Sequence, residues 1–222
     1  MDKSEKRKKL GLPTYTLGEE LVNSISHGLG AAFGIVALVL CVVFSAHQGD
    51  VWKIVSSAIY GASMIILYSI STIYHALGIN LAKKVFRTLD HCSIYFLIAG
   101  TYTPYTLVAM RESSGIPIFA IVWAAAVVGI VLNAVNVHKF RVVSMIIYIA
   151  MGWAIIFSVR DLVVSIAATG VVLLVAGGVL YTVGAVLYGL GKTKKYMHSV
   201  FHFLALGGSI CHFISIFGYV IL

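Results

Sequence analysis

Charge is what this 222-residue chain has least of: Asp, Glu, Lys and Arg make up only 11% of it, against about 25% in a soluble domain. With 60% hydrophobic residues and a mean hydropathy of +0.98, that scarcity excludes an ordinary soluble fold. Proline is nearly absent, with three residues, so the apolar runs are seldom broken. Cysteine is equally scarce. Cys41, Cys92 and Cys211 stand singly with no Cys-x-x-Cys, which excludes a thiolate metal cluster and a disulfide scaffold. The apolar runs are continuous rather than alternating, which excludes a membrane β-barrel. No internal repeat is strong enough to indicate an inverted-repeat transporter. The net charge of +8 does not indicate nucleic acid. The basic residues flank apolar runs, where they orient a membrane protein and meet anionic lipid.

Seven apolar runs are present, at about residues 20–46, 51–77, 88–110, 116–137, 142–159, 162–190 and 196–222. Each reaches or approaches the ~20 residues that cross a bilayer as a helix. The expected fold is therefore an all-α, multi-pass cell-membrane protein. It comprises one seven-transmembrane-helix bundle over residues 19–222 behind a basic, mobile cytoplasmic tail at residues 1–18. The start, MDKSEKRKK, is like a signal-peptide n-region, but residues 11–20 are polar and the next run is span-length. The first helix is thus expected to be retained. Thirteen of the sixteen basic residues lie in the tail and in every second loop: Lys83, Lys84 and Arg87, then Lys139 and Arg141, then Lys192, Lys194 and Lys195. Only Lys53, Arg111 and Arg160 fall in the alternate loops. This bias places the N-terminus in the cytoplasm and Leu222 outside. Gly30-x-x-x-Gly34 and the glycines at 177, 178 and 184 predict close helix packing. Pro104 predicts a kink or a freed carbonyl.

The last run opens with His198 and His202. Four residues apart on a helix puts both imidazoles on one face, the usual way a helix offers two nitrogens to one metal. On the expected topology both lie in the cytoplasmic leaflet. So do His75 near the end of the second run, Asp90 early in the third, and Glu19, Asn23 and His27 at the start of the first. Three neutral imidazoles suffice as protein ligands for catalytic zinc, and imidazole without thiolate suits that metal. Asp90 is then the partner of a bound water, as general base or acceptor. Ser71, one turn before His75, is placed to hydrogen-bond a ligand or an oxyanion. Glu19, Asn23 and His27 form one helical stripe that braces the site or lines its entrance. A relay of His and Asp protons is the alternative reading, and Asp90 alone could be a helix cap. His212 lies ~15 Å along the helix from His202. It is expected as a buried, hydrogen-bonded residue lining a deeper cavity. His47 and His138 are expected in solvated loops, and His91 points about 100° from Asp90.

Three motifs carry a family resemblance: Glu19-x3-Asn23-x3-His27, Ser71-x3-His75 followed by Asp90, and His198-x3-His202. Together, in this order and with seven spans, they resemble the hemolysin III family, the bacterial branch of the progestin and adipoQ receptor group. That group is similar to seven-span putative hydrolases that include alkaline ceramidases. The resemblance runs from Glu19 to the end of the chain. It implies zinc bound by His75, His198 and His202, Asp90 contacting it through water, and Ser71 near the site. The expected activity is hydrolysis of a lipid amide or ester, with a membrane lipid as substrate or ligand. The alternatives are a membrane-lytic, pore-forming hemolysin, a sensor of membrane state with structural zinc, and a proton-coupled transporter.

Overall fold

The computed structural model describes residues 2–190 and 194–222, and every regular element among them is helical. In order these are α1 (Lys3–Leu10), α2 (Leu17–Gln48), α3 (Val51–Ala76), α4 (Leu81–Pro104), α5 (Gly115–Asn136), α6 (Arg141–Gly152), α7 (Val159–Ser165), α8 (Ala168–Leu190) and α9 (Met197–Ile216). Six stretches are long and apolar enough to cross a membrane: α2, α3, α5, the α6–α7 stretch, α8 and α9. α4 is 24 residues long but too polar to count with them. It packs against α3, α5 and α6, so its polar residues meet protein rather than hydrocarbon.

The solvent of this fold is apolar and its interior is partly polar. Leu21, Ile25, Leu29, Val36, Val39 and Val43 of α2 are exposed, as are Ile121, Val128 and Val135 of α5. Asn23, Ser57, Ser63, Thr103, Asn133 and Ser215 are completely buried. In hydrocarbon a side-chain polar group must be satisfied by protein, and here bonds such as Ser45–Ser57 and Tyr105–Ser215 do so.

Local chemistry sets the helix ends. Thr16 and Glu19 form a reciprocal capping box at the start of α2. α2 stops at Gly49, whose φ of +69° suits a residue without Cβ. Asp50 then accepts from the N–H groups of Trp52 and Lys53 and starts α3. After Pro104 the backbone widens into a π turn over Tyr105–Ala109, the local adjustment that a helical proline demands. The glycine expectation holds. Gly30 faces the Tyr68 ring and Gly34 the backbone of Ile65, while Gly177 and Gly208 bring α8 and α9 together.

Several boundaries differ from expectation. α4 begins at Leu81, not near residue 88, because Asn80 accepts from the Lys83 N–H and caps it. Lys83, Lys84 and Arg87 are therefore helical, and Lys83 and Arg87 are buried instead of lying in a solvated loop. Asp90 sits in the third turn of α4, which removes the capping reading. Arg160-Asp161 does not end a helix. Asp161 accepts from the backbone N–H and hydroxyl of Ser114, and α7 continues to Ser165. The break falls at residues 166–167 instead. Lys192, one of the orienting lysines, lies outside the described residues. The basic tail contains a helix, α1, capped by Asp2. Its following strap, residues 11–16, is tied to the bundle by Arg87, which donates to the Gly11 carbonyl at 2.7 Å.

A Cβ added at Gly61 would lie 2.6 Å from Leu38 Cα in the facing backbone. Gly61→Ala is expected to cost about 1–3 kcal/mol through forced separation of α2 and α3, seen as a lower Tm of purified protein in detergent. Gly78→Ala, with nothing within 4 Å of the new carbon, should leave Tm unchanged.

Candidate metal centre

The site lies where the start of α2, the end of α3, the early turns of α4 and the start of α9 come together. His75, His198 and His202 are all buried, and their ligating nitrogens lie within 4.8 Å of one another. The Nε2 atom of His198 is 3.2 Å from that of His75 and 3.1 Å from that of His202. Asp90 and Ser71 line the adjoining chamber with His198 and His202. His75 of α3, Asp90 of α4, and His198 and His202 of α9 are thus brought together at one end of the bundle.

The outer nitrogens define the inner ones. His75 donates its Nδ1–H to Glu20 Oε2 at 2.8 Å. His202 donates its Nδ1–H to the Asn23 carbonyl at 3.2 Å. Each of these imidazoles, when neutral, then carries a bare lone pair on Nε2. His198 touches both Nε2 atoms and can donate a proton to only one. Lone pairs converging in a buried space repel unless a cation lies among them. Zinc–nitrogen bonds of about 2.0–2.1 Å in a tetrahedron separate the nitrogens by about 3.3 Å, close to the spacing found. An all-imidazole donor set with carboxylate and carbonyl partners on the far nitrogens is the pattern that metal-binding histidines use. The residues fit a metal ion.

The supporting shell is dense. Lys83 donates to Glu20 Oε1 at 2.9 Å and to the carbonyls of Tyr74 and Leu77 at the end of α3. It thus satisfies a helix C-terminus and holds the carboxylate that orients His75. Asn23 accepts a proton from Ser199 at 2.6 Å, linking α2 to α9. The Glu19 carboxylate accepts from the N–H of Thr16, the N-cap of α2, and from the N–H of Tyr196, each at 2.8 Å. Tyr196 has a φ of +62°, a strained position for a bulky residue, and that bond holds it. The stripe of Glu19, Asn23 and His27 does brace the site. His27 stacks on His202 with centroids 3.5 Å apart, and both its ring nitrogens lack a partner.

Among the described residues Asp90 has no cation within ion-pairing distance except the His91 ring at 3.9 Å. The buried hydroxyl of Ser71 faces the same chamber, beside the Asp90 carboxylate. His91 donates to the Arg87 carbonyl and accepts from Tyr188, a structural role. His212 donates to the Leu174 carbonyl at 3.0 Å and lines the deep end of the chamber, as expected. His47 is exposed. His138 is exposed too but not free, since it accepts from Arg87 at 2.6 Å. Partial burial and then the Arg87 charge hold it below the usual histidine pKa.

Glu20, Lys83, Ser199 and Tyr15 were not anticipated. Glu20, Asn23 and His27, at i, i+3 and i+7, form as good a helical stripe as the one starting at Glu19. That signal could have found Glu20. Tyr15, from the strap, stacks on His198 at 5.0 Å and 14°. Burial, and secondarily Tyr188, raises its phenol above the ordinary pKa, so it remains a proton donor.

Glu20→Gln is expected to weaken metal binding about 10–100-fold, measured by competition with a chromophoric chelator. Lys83→Met should act in the same direction. Wild-type affinity in Glu20→Gln would remove Glu20 from the site.

The model of the family described as haemolysin-III related matches residues 15–213. The chain is 39% identical to a protein named hemolysin-3 homolog from Bacillus subtilis (strain 168), over 93% of this chain and 97% of that one. It is 37% identical to hemolysin-3 of Bacillus cereus, over 96% and 97%. A more distant likeness, 28% identity over 63% of this chain and 59% of the relative, is to the human monocyte to macrophage differentiation factor. With a family match across nearly its whole length and six apolar helices, this multi-pass protein of the cell membrane belongs to the hemolysin III family.

Proposed function

We propose that the chain is a zinc-dependent hydrolase of a membrane-lipid amide or ester, with the metal held by His75, His198 and His202. The observation that carries this reading is the convergence of three Nε2 atoms from α3 and α9. Only three donors converge among the described residues, the pattern of a catalytic rather than a structural zinc site. When bound, zinc supplies a Lewis acid for the scissile carbonyl and lowers the pKa of water to about 7.

The chain's own residues do the rest. Asp90 takes a proton from the attacking water on its carboxylate and returns it to the leaving nitrogen or oxygen. Ser71, whose hydroxyl faces the chamber, donates to the oxygen on which negative charge develops. Glu20 and Asn23 keep the ligand rings in register. A chamber of about 190 Å³ adjoins the site between α4, α6, α8 and α9. Its lining beyond the histidines includes Leu97, Ile98, Ile149, Ile155 and Leu174, which suits a lipid chain. The lipid is thus both substrate and surrounding solvent, and nucleic acid has no part.

The same reading makes α4 a seventh span, places residues 1–18 in the cytoplasm and makes residues 19–222 one domain. Ile221 supports it, since its carbonyl accepts from Gln48 and Lys53 at the α2–α3 turn. The C-terminus therefore lies at the end of the bundle opposite the site. An impermeant thiol reagent, applied to a chain without its three native cysteines, should label Glu112→Cys in intact cells. Glu5→Cys should be labelled only after lysis. The reverse pattern would invert the topology.

His75→Ala is expected to lose bound zinc and lipid turnover together. Asp90→Asn should keep zinc and lose about 10²–10⁴-fold in rate. Unchanged zinc content in His75→Ala would refute the ligand assignment. The name of the Bacillus cereus relative favours a second reading, membrane lysis. Purified protein that lyses target cells equally well with His75→Ala would establish it in place of the hydrolase.

A further inference from the structure

A second cavity, of about 460 Å³, lies between the N-terminal strap and the near ends of α4, α6 and α8. It shares His91, Arg141, Tyr188 and His198 with the apolar chamber, so the two spaces meet beside the metal ligands. Arg87 and Arg141 line this vestibule, and no Asp or Glu among the described residues does; Asp90, one turn along α4 from Arg87, lines the adjoining chamber instead. Neither arginine forms an ion pair with a carboxylate among the described residues. The residues outside that set, Met1, Gly191, Lys192 and Thr193, include no acid. Arg87 is 8% exposed, and one nitrogen, Nη1, makes both its bonds, to the Gly11 carbonyl and to His138. Its remaining N–H groups have no protein partner among the described residues. Arg141 makes no side-chain hydrogen bond there at all. Tyr15 and Tyr188 add phenol groups to the same walls.

Arg141 is part-buried. A guanidinium drawn out of water without an ion-paired anion is unfavourable, and its planar fork matches a carboxylate or phosphate. We propose that this vestibule binds the anionic headgroup, carboxylate or phosphate, of the amphiphile whose chain fills the apolar chamber. This rests on the lipid reading above and narrows it to an anionic lipid. A neutral headgroup would leave both arginines without an anionic partner. A free soluble anion would leave the adjoining chamber without its chain. Arg87 also anchors the strap, so Arg141 is the residue to vary.

The test uses the full-length protein in phosphatidylcholine nanodiscs and three probes of equal chain length: palmitate, palmitoyl lysophosphatidate and monopalmitoyl glycerol. Inorganic phosphate is a fourth probe. Binding is read by native mass spectrometry, with zinc content and Tm as controls. At least one anionic amphiphile should bind roughly ten-fold or more tighter than the neutral one, the scale of a hydrogen bond to a charged group. Arg141→Gln should abolish that preference without changing zinc content or the neutral affinity, and Arg141→Lys should restore part of it. Preference for palmitate alone identifies a carboxylate, and preference for lysophosphatidate alone a phosphate. Equal binding of all three amphiphiles, or a preference that survives in Arg141→Gln, overturns the anionic headgroup and leaves the lipid reading intact. Inorganic phosphate binding as tightly as lysophosphatidate also overturns it. Failure of every amphiphile to bind overturns both.

Discussion

Two imidazoles, His75 and His202, commit their Nδ1 protons to outside acceptors and so turn unprotonated nitrogens toward each other and toward His198. In water such an arrangement would relax within nanoseconds. Here the rings cannot turn away. His75 is held by Glu20, itself held by Lys83, and His202 is clamped between the Asn23 carbonyl and the His27 ring. The surrounding helices are arranged to make this concentration of like groups tolerable. Buried serines, asparagines and a lysine supply the bonds that hydrocarbon cannot, and the apolar residues are moved to the outside.

That constraint explains α4, the most polar of the long helices. Its first half supplies Lys83, Arg87, Asp90 and His91 to the site end of the bundle, and its second half supplies Leu97, Thr101 and Tyr102 to the chamber. A helix so composed would be unstable facing lipid. Packed against α3, α5 and α6, it meets protein. Polarity is thus a consequence of position. The glycines serve the same end, since close backbones at Gly61, Gly100 and Gly129 leave room for Leu38, Ser63 and the Tyr95 ring.

Much of this was legible in the sequence because bilayer depth is a coordinate that hydropathy and charge bias report together. His75, His198, His202 and Asp90 fall near one end of three different runs, and that brings them to one level of the bundle. What depth cannot supply is rotation about each helix axis. Glu19 and Glu20 share a depth, and helix packing decides which of them reaches His75. Lys83 and Arg87 were read as loop charges, since nothing local to them announces a partner on α3 or in the strap. The break at residues 166–167 carries neither glycine nor proline, and Arg160-Asp161 imitated one. Asp161 is tolerated because Ser114, 47 residues away, donates to it. Inter-helix partners of this kind are invisible to any window along the chain.

The strap and the last helix meet across almost the entire chain. Tyr15 stacks on His198, Glu19 holds Tyr196, and Asn23 receives Ser199. Translation at about 5–20 residues per second leaves roughly ten to forty seconds between the emergence of these partners. Once His75 has emerged, and until α9 appears, the nascent protein owns one of its three converging histidines and none of the bonds that steady the other two. The site therefore cannot form before the start of α9 has been made. Its assembly joins the start of α2 to the start of α9, so two helices from opposite ends of the chain are locked together at the point where the three imidazoles meet.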